Sequence, residues 1–328
     1  MTHSNQTIAI IGGAGFVGKA LAAELISRSG GAGGSVRILT RSRQKARSIW
    51  SLPGVEIQEV DPTDEAGLSE ALIGARAVVN LVGLLHSRPG RPWGPDFDEA
   101  HVKFPSRLSR AMSRVGVRRL VHVSALGVAP QAPSMYLRSK SAGENGLKAS
   151  HDIDLTILRP SVIFGPGDSF LNLFAKLQRW LPVVPLATPH SRFQPIYLGD
   201  AIKAIANCLA NPKTIGQAYE LAGPDVLSLY EIVHWAGEYS GHPRPILPLP
   251  DSVSWLQALV MEQLPGPPMI SRDNLASSSV PSVASGPLSP ELGIGIPHSL
   301  HAIAPIMLQD HSSRTRLLKR RTRRIISD

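Results

Sequence analysis

The chain has 328 residues, of which 43% are hydrophobic and 18% charged, with 29 glycines and 28 prolines; this composition excludes low-complexity and collagen-like classes and leaves room for a large core. Of the formal charge of +9, most sits in residues 311–328, where seven Lys and Arg residues face Asp328 alone, so the body is only mildly basic and is not a nucleic-acid surface by charge. A single cysteine, Cys208, excludes an internal disulfide and a cysteine metal cluster, and the eleven histidines show no ligand spacing, so no metal is expected.

MTHSNQ at the start has neither a basic n-region nor a cleavage pattern, so no secretory signal is read there, and with the lone cysteine this predicts a cytoplasmic location. Thr7 to Ile11 is a short apolar run of the kind that forms a fully buried parallel strand, and it ends at Gly12-Gly13. Gly12, Gly15 and Gly18 follow at three-residue spacing, while Phe16, Val17, Ala20, Leu21 and Leu25 begin a helical repeat. Strand, glycine turn and helix in succession predict a pyrophosphate site: the phosphate needs free amide N–H groups at a helix N-terminus, and a Cβ would block its approach. Thr7 to Ile26 also has transmembrane length, but Lys19, Glu24 and four glycines argue against a span.

After the glycine-rich connection Ser29 to Ser35, a second strand is predicted over Val36 to Thr40. An NAD-specific site places a carboxylate at the end of this strand; here stand Thr40-Arg41-Ser42-Arg43. A guanidinium binds a 2′-phosphate through charge-assisted hydrogen bonds, so Arg41 and Arg43 predict NADP(H) over NAD(H), unless they merely open a solvated helix to Trp50. Further strands are expected over Val55 to Val60, ending at Asp61, over Ala77 to Val82, closing on Gly83, and over Arg118 to Val123. Helices are expected from Asp64 to Leu72 and from Phe97 to Val115. This alternation predicts an α/β fold with a Rossmann-type doubly wound parallel sheet, whose ligands lie at the carboxyl ends of the strands.

Tyr136-Leu-Arg-Ser-Lys140 opens the next helix, and the four-residue spacing places Tyr136 and Lys140 on one face. A nearby ammonium favours tyrosinate and lowers the phenol pKa, so Tyr136 is read as the acid that protonates a carbonyl oxygen during hydride delivery. Ser124, at the end of the fifth strand, is read as the hydroxyl that holds the same oxygen.

Taken together, Gly12-x-x-Gly15-x-x-Gly18, Asp61, Ser124, Tyr136-x-x-x-Lys140 and Leu158-Arg-Pro160 followed by Phe164-Gly-Pro166 resemble the extended or atypical short-chain dehydrogenase/reductases. More narrowly, Asn80-Leu-Val-Gly83, Val121-His-Val-Ser-Ala-Leu-Gly127 and Arg192-Phe-Gln-Pro-Ile-Tyr-Leu-Gly-Asp200 resemble the nucleotide-binding accessory subunits of respiratory complex I and their bacterial relatives. The resemblance spans roughly residues 7 to 310. It implies a bound NADPH with its adenine near Asp61 and its nicotinamide near Leu81, Val82 and Gly83, Ser124, Tyr136, Lys140, Pro160 and Ile163. Turnover is not implied, because the complex I subunit is viewed as holding its nucleotide structurally. Gln194 and Tyr197 resemble positions that meet the cofactor side.

Downstream, helices are expected over Ser169 to Trp180, Ala201 to Ala210 with Asp200 as cap, and Ser228 to Gly241. Ser252 to Leu264 should place Trp255, Leu256, Leu259 and Val260 in a core face, Ser271 to Pro290 should be loop, and Ser299 to Leu308 a last helix. The expected organisation is an NAD(P)-binding domain over 1–165, its sheet completed by about 192–222, then a smaller mixed C-terminal substrate lobe over 166–310 and a basic tail over 311–328. Two functions compete. One is an oxidoreductase or epimerase acting on a hydrophobic or quinone-related substrate. The other is a catalytically silent NADPH-bound accessory or assembly factor of a respiratory or quinone-synthesis complex, peripheral on the inner membrane face. In the second, the basic residues of 314–324 contact an anionic membrane surface; nucleic acid is disfavoured because the tail has no aromatic side chain to stack on bases.

Overall fold

A computed structural model describes residues 7–29, 35–266 and 268–309. The basic tail, and residues 30–34 of the glycine-rich connection, lie outside the described residues.

The centre of the fold is a seven-stranded sheet in which every neighbour is parallel. Its strands are β1 (Thr7–Ile11), β2 (Val36–Thr40), β3 (Val55–Glu59), β4 (Ala75–Asn80), β5 (Arg119–Val123), β6 (Asp154–Pro160) and β7 (Ala218–Leu221). They lie in the order β7-β6-β5-β4-β1-β2-β3. From β1 the chain moves outward through β2 to β3 and then returns to β4 on the other side of β1, with Ile11 opposite Asn80. A crevice opens at the carboxyl ends of β1 and β4, where the order reverses.

All five residues of β1 are buried, as expected of a strand covered on both faces. One cover consists of α1 (Phe16–Ser29) and α6 (Leu198–Ala210); Leu21, Ala22, Ala201, Ala204 and Ile205 pack there on Ile8, Ile10 and Ile38. The opposite cover consists of α2 (Glu65–Leu72), α3 (Phe104–Arg114) and α4 (Met135–Lys148), with Leu68, Leu108, Met112 and Leu147 on Ala9, Ile11 and Val78. This three-layer burial removes a large apolar area from water, at roughly 25 cal/mol per Å².

The C-terminal part contributes α5 (Leu171–Trp180), α7 (Leu229–Ser240), α8 (Asp251–Glu262), α9 (Arg272–Ser278) and α10 (Leu300–Leu308). Phe164, Leu171, Ile232, Ala236, Leu300 and Ala304 form a core shared by α5, α7 and α10. A full capping box, Ser228 with Glu231, starts α7, and Gly241 at φ +76° ends it.

Several expectations are corrected. β4 ends at Asn80, so Leu81 and Val82 belong to the turn beyond the strand. Asp200 lies inside the first turn of α6 and does not cap it; its buried carboxylate accepts the His298 main-chain N–H at 2.7 Å and meets the imidazole Nδ1 at 3.0 Å. The core face expected of Trp255, Leu256 and Val260 points outward instead, at 49%, 55% and 55% exposure, because α8 packs through the small residues Ser254 and Ala258. Within the expected loop Ser271 to Pro290, Ser271 and Asn274 form a capping box that starts α9. The helix expected over Ser228 to Gly241 forms, with Ile232, Val233 and Ala236 buried and Tyr230 solvent-exposed.

Candidate nucleotide and redox site

The glycine turn is shaped by close approach. Gly12 has φ +79°, and a Cβ there would come within 3.2 Å of the Leu81 carbonyl carbon. A Cβ on Gly13 would come within 2.6 Å of Ile38 Cδ1, and one on Gly18 would overlap the main chain of Gly13. The Gly15 N–H donates to the Gly12 carbonyl at 3.0 Å, and the Lys19 N–H to the Gly15 carbonyl at 3.1 Å. The first helical bond of α1 therefore starts at Gly15, leaving the N–H groups of Phe16, Val17 and Gly18 without an intrahelical acceptor. No acidic side chain occupies this first turn. The donor set and the open cradle fit a pyrophosphate at the positive end of the helix.

Beside it, at the ends of β2 and β3, lies a cavity of about 330 Å³ lined by Arg41, Glu59, Val60, Asp61 and Pro62. Thr63 donates to Asp61 Oδ1 from its N–H at 2.8 Å and its hydroxyl at 2.7 Å, and these bonds hold the Asp61 carboxyl below its usual range. Arg41 is exposed on the rim. Arg43 turns elsewhere: its guanidinium donates to the Ile57 carbonyl and its N–H to Glu59 Oε2, each at 3.2 Å. The structure thus separates the two arginines, and it adds Glu59, a carboxylate that the strand pattern did not mark.

Ser124, Lys140, Gly83 and Pro160 converge at the ends of β4, β5 and β6. Lys140 is only 4% exposed, and its Nζ donates to the carbonyls of Val82 at 3.2 Å and Val123 at 3.3 Å. A Cβ on Gly83 would lie 3.5 Å from that Nζ. Ser124 donates its N–H to Leu158 at 2.7 Å, and Leu126 donates to the Pro160 carbonyl at 3.0 Å, which joins this loop to β6. Ile163 follows in a short strand, Ile163–Phe164, that pairs with Ile196–Tyr197. The Ser124 hydroxyl oxygen is buried with no hydrogen-bond partner, an expensive arrangement that a bound oxygen or amide would relieve. Cradle and orphan hydroxyl together fit a nicotinamide dinucleotide with a polar substrate group beside it.

The electrostatics correct one expectation. Burial pushes the Tyr136 phenol up to about 12 and Lys140 down to about 8, although Glu144 opposes the latter shift. In the protein alone desolvation therefore outweighs the ammonium, and Tyr136 is a protonated acid at neutral pH.

Sequence reasoning missed the groups that frame Tyr136. His101 lies in a π-helical turn, Asp98–Lys103, just ahead of α3. Its Nε2 accepts the Leu84 N–H at 3.1 Å and its Nδ1 lies 2.9 Å from the Ser139 hydroxyl, which itself donates to the Tyr136 carbonyl at 2.8 Å. This chain of donors assigns the imidazole proton to Nδ1. The imidazole meets the Tyr136 ring edge-on at 5.5 Å and stacks on Phe97 at 5.2 Å. Burial, with Lys140 and His122 adding to it, depresses His101 to about 2. Nearby, Asn80 accepts the Val82 N–H at 3.0 Å and donates to His122 Nδ1 at 3.1 Å, which sets the Leu81–Gly83 turn. A single π insertion has no sequence period to reveal it, whereas Asn80 closing an apolar strand was a readable sign. Gln194 is occupied within the fold, donating to Gly223 and accepting from Ala284, and Tyr197 packs on Phe164 and His298. Among the described residues no group of three or more His, Cys, Asp or Glu side chains is placed to hold a metal.

Parallel sheet, glycine turn and strand-end cluster define a Rossmann-type NAD(P)-binding protein of the short-chain dehydrogenase/reductase class. Residues 12–167 match the family described as NAD(P)H-binding. The chain is 30% identical over 266 residues to the rat (Rattus norvegicus) mitochondrial NADH dehydrogenase [ubiquinone] 1 alpha subcomplex subunit 9, covering 78% of this chain and 67% of that one, and it belongs to that family. It is also 28% identical over 252 residues to a ceramide reductase of Caulobacter vibrioides, covering 76% and 75%. Among solved structures, a nucleoside-diphosphate-sugar epimerase from Staphylococcus aureus superposes with a TM-score of 0.68 at 18% identity, covering 91% of this chain and 99% of that one, a likeness of fold.

Proposed function

We propose that the chain is an NADP(H)-dependent reductase of a hydrophobic or quinone-related carbonyl compound. The observation that carries this reading is the buried, unpartnered Ser124 hydroxyl beside the buried Lys140. NADPH, when bound, supplies the hydride. Phe16, Val17 and Gly18 would hold its pyrophosphate, Arg41 the 2′-phosphate, Asp61 the adenine side, and Lys140 the ribose. Ser124 would donate to the carbonyl oxygen, and Tyr136, kept protonated by burial, would pass it a proton as the carbon receives the hydride. A ketone would give an alcohol, and a quinone a hydroxydienone that tautomerises to the quinol; NADP⁺ and a tyrosinate that solvent reprotonates would be left. A relative named as a ceramide reductase supports a hydrophobic substrate.

The reading includes a cytoplasmic protein whose nucleotide domain, 1–165, faces a smaller C-terminal lobe, 166–310. NADPH oxidation is measured with a soluble quinone and a long-chain ketone as probes; both reactions should be lost in Tyr136→Phe, and no oxidation by either probe defeats the reading.

A second reading is favoured by the exposed apolar side of α8. Trp255, Leu256 and Val260, with Val253 beside them, face outward where a solvated helix would carry charge. In this reading the chain is an NADPH-stabilised accessory or assembly factor that docks on a respiratory or quinone-synthesis complex at the inner membrane face, as its complex I relative suggests. Bound nucleotide then stabilises the fold by about 2.7 kcal/mol at a hundredfold excess over Kd. Co-purification should fail in Trp255→Ser/Leu256→Ser; sedimentation with anionic vesicles, reduced by salt or by deletion of 313–328, separates a lipid contact from a protein one. Among the described residues no helix is long and apolar enough to cross a membrane.

A further inference from the structure

The first turn of α4 carries Tyr136, and the C-terminal part of the chain holds that turn. Asp273 Oδ1 accepts the Met135 N–H at 2.6 Å, and Oδ2 accepts the Tyr136 N–H at 3.0 Å. Ser134 takes the next donor, accepting the Leu137 N–H at 3.2 Å. Two of the three leading N–H groups of α4 thus depend on a carboxylate far away in sequence. The flanking residues join the same contact to two other walls. Arg272 donates from its main chain at 2.7 Å and its guanidinium at 2.8 Å to Glu262 at the end of α8, and stands 5.6 Å over the Trp255 ring. Asn274 donates to the Leu85 carbonyl at 3.4 Å, on the loop that continues from Gly83.

We propose that Asp273 is a positioning residue for Tyr136, fixing the first turn of α4 from the C-terminal part so that the phenol is placed only when α9 is docked. This rests on the reading of Tyr136 as the acid. Without the carboxylate, two N–H groups lose their acceptor and the turn frays, since an uncapped helix start has nothing else within the helix to bond them. The negative charge also suits the helix N-terminus. Burial is what raises the Tyr136 phenol, so cap loss, by admitting water to the ring, moves its pKa downward. The other titratable groups around this turn are His86, which faces Asp273 and Glu262, together with His101 and Lys140.

Full-length Asp273→Ala, Asp273→Ser and Asp273→Asn are compared with the parent protein, each with NADPH added. Amide hydrogen exchange is read for residues 135–137, and Tyr136 ionisation by alkaline ultraviolet difference against Tyr136→Phe. Asp273→Ala should exchange these amides about tenfold faster, with β4 and β5 unchanged, and its phenol should titrate below the parent value of about 12. Asp273→Ser, whose single hydroxyl stops about one bond short of both N–H groups, should recover little of the protection, whereas Asp273→Asn should recover part of it. If Asp273→Ala does not fold, Asp273→Asn, with one acceptor left, should show smaller shifts in the same directions. Unchanged exchange and unchanged titration in whichever folded variant is read, or faster exchange spread equally through β1 and α1, overturns the proposal. Neither readout needs turnover, so a chemically idle Tyr136 would leave this result standing, and a failure here would leave the reductase reading untouched.

Discussion

Gly18 packs so closely on Gly13 that a methyl group on Gly18 would overlap the Gly13 main chain. Backbone cannot rotate away as a side chain can, so Gly18→Ala should push α1 off β1, costing about 1–3 kcal/mol and opening the pyrophosphate cradle. Thermal unfolding should fall by several degrees, and NADPH affinity, read by fluorescence titration, by more than tenfold. Gly83→Ala is the contrast: its Cβ would meet Lys140 Nζ at an ordinary 3.5 Å, so the fold should survive. Equal behaviour of the two variants would contradict the packing argument.

Arg41 and Glu59 share one cavity with opposite charges. On the proposed reading Arg41→Ala should weaken NADPH about tenfold or more while leaving NADH nearly unchanged, because only a 2′-phosphate would meet that guanidinium. Glu59→Gln should tighten NADPH by removing a like charge. Arg43→Ala should matter less, since its guanidinium is engaged with Ile57. Competitive titration of the two nucleotides checks all three, and equal or tighter NADH binding by the parent protein defeats the arginine argument.

His101 and His122 are depressed to about 2 and about 3 from 6.5. The folded pKa values lie below the unfolded one, so between about 3 and 6.5 the unfolded chain binds more protons. Stability is therefore lost as pH falls through that window. Each buried imidazole contributes up to about 1.4 kcal/mol per pH unit there. Urea unfolding at a series of pH values should show this slope, and His101→Gln should reduce it by about one proton. A slope that His101→Gln leaves unchanged would mean that other groups govern the acid limb.

The sheet was legible because five apolar runs recur at a βα rhythm, four of them ending at Gly12, Asp61, Gly83 or Ser124, and the glycine turn stands in the context that gives it meaning. Ser124 and Lys140 were legible by type and spacing, but their burial was not, and burial is what reverses the expected Tyr136 shift. α8 misled because a helical apolar stripe shows that a face is apolar without showing which face the fold covers; here the small Ser254 and Ala258 pack inward. Asp273 was invisible for a different reason. It acts across 137 residues of sequence, from a segment that its serines made look like loop.

Complementation of a strain lacking the chain, with Gly18→Ala and Tyr136→Phe in parallel, tests the central claim most directly. Tyr136→Phe removes a single hydroxyl, and NADPH titration must first show that its cofactor binding is intact. The reductase account predicts that neither variant restores function. Full complementation by Tyr136→Phe while Gly18→Ala fails would contradict it, leaving a protein that needs its nucleotide and not its acid.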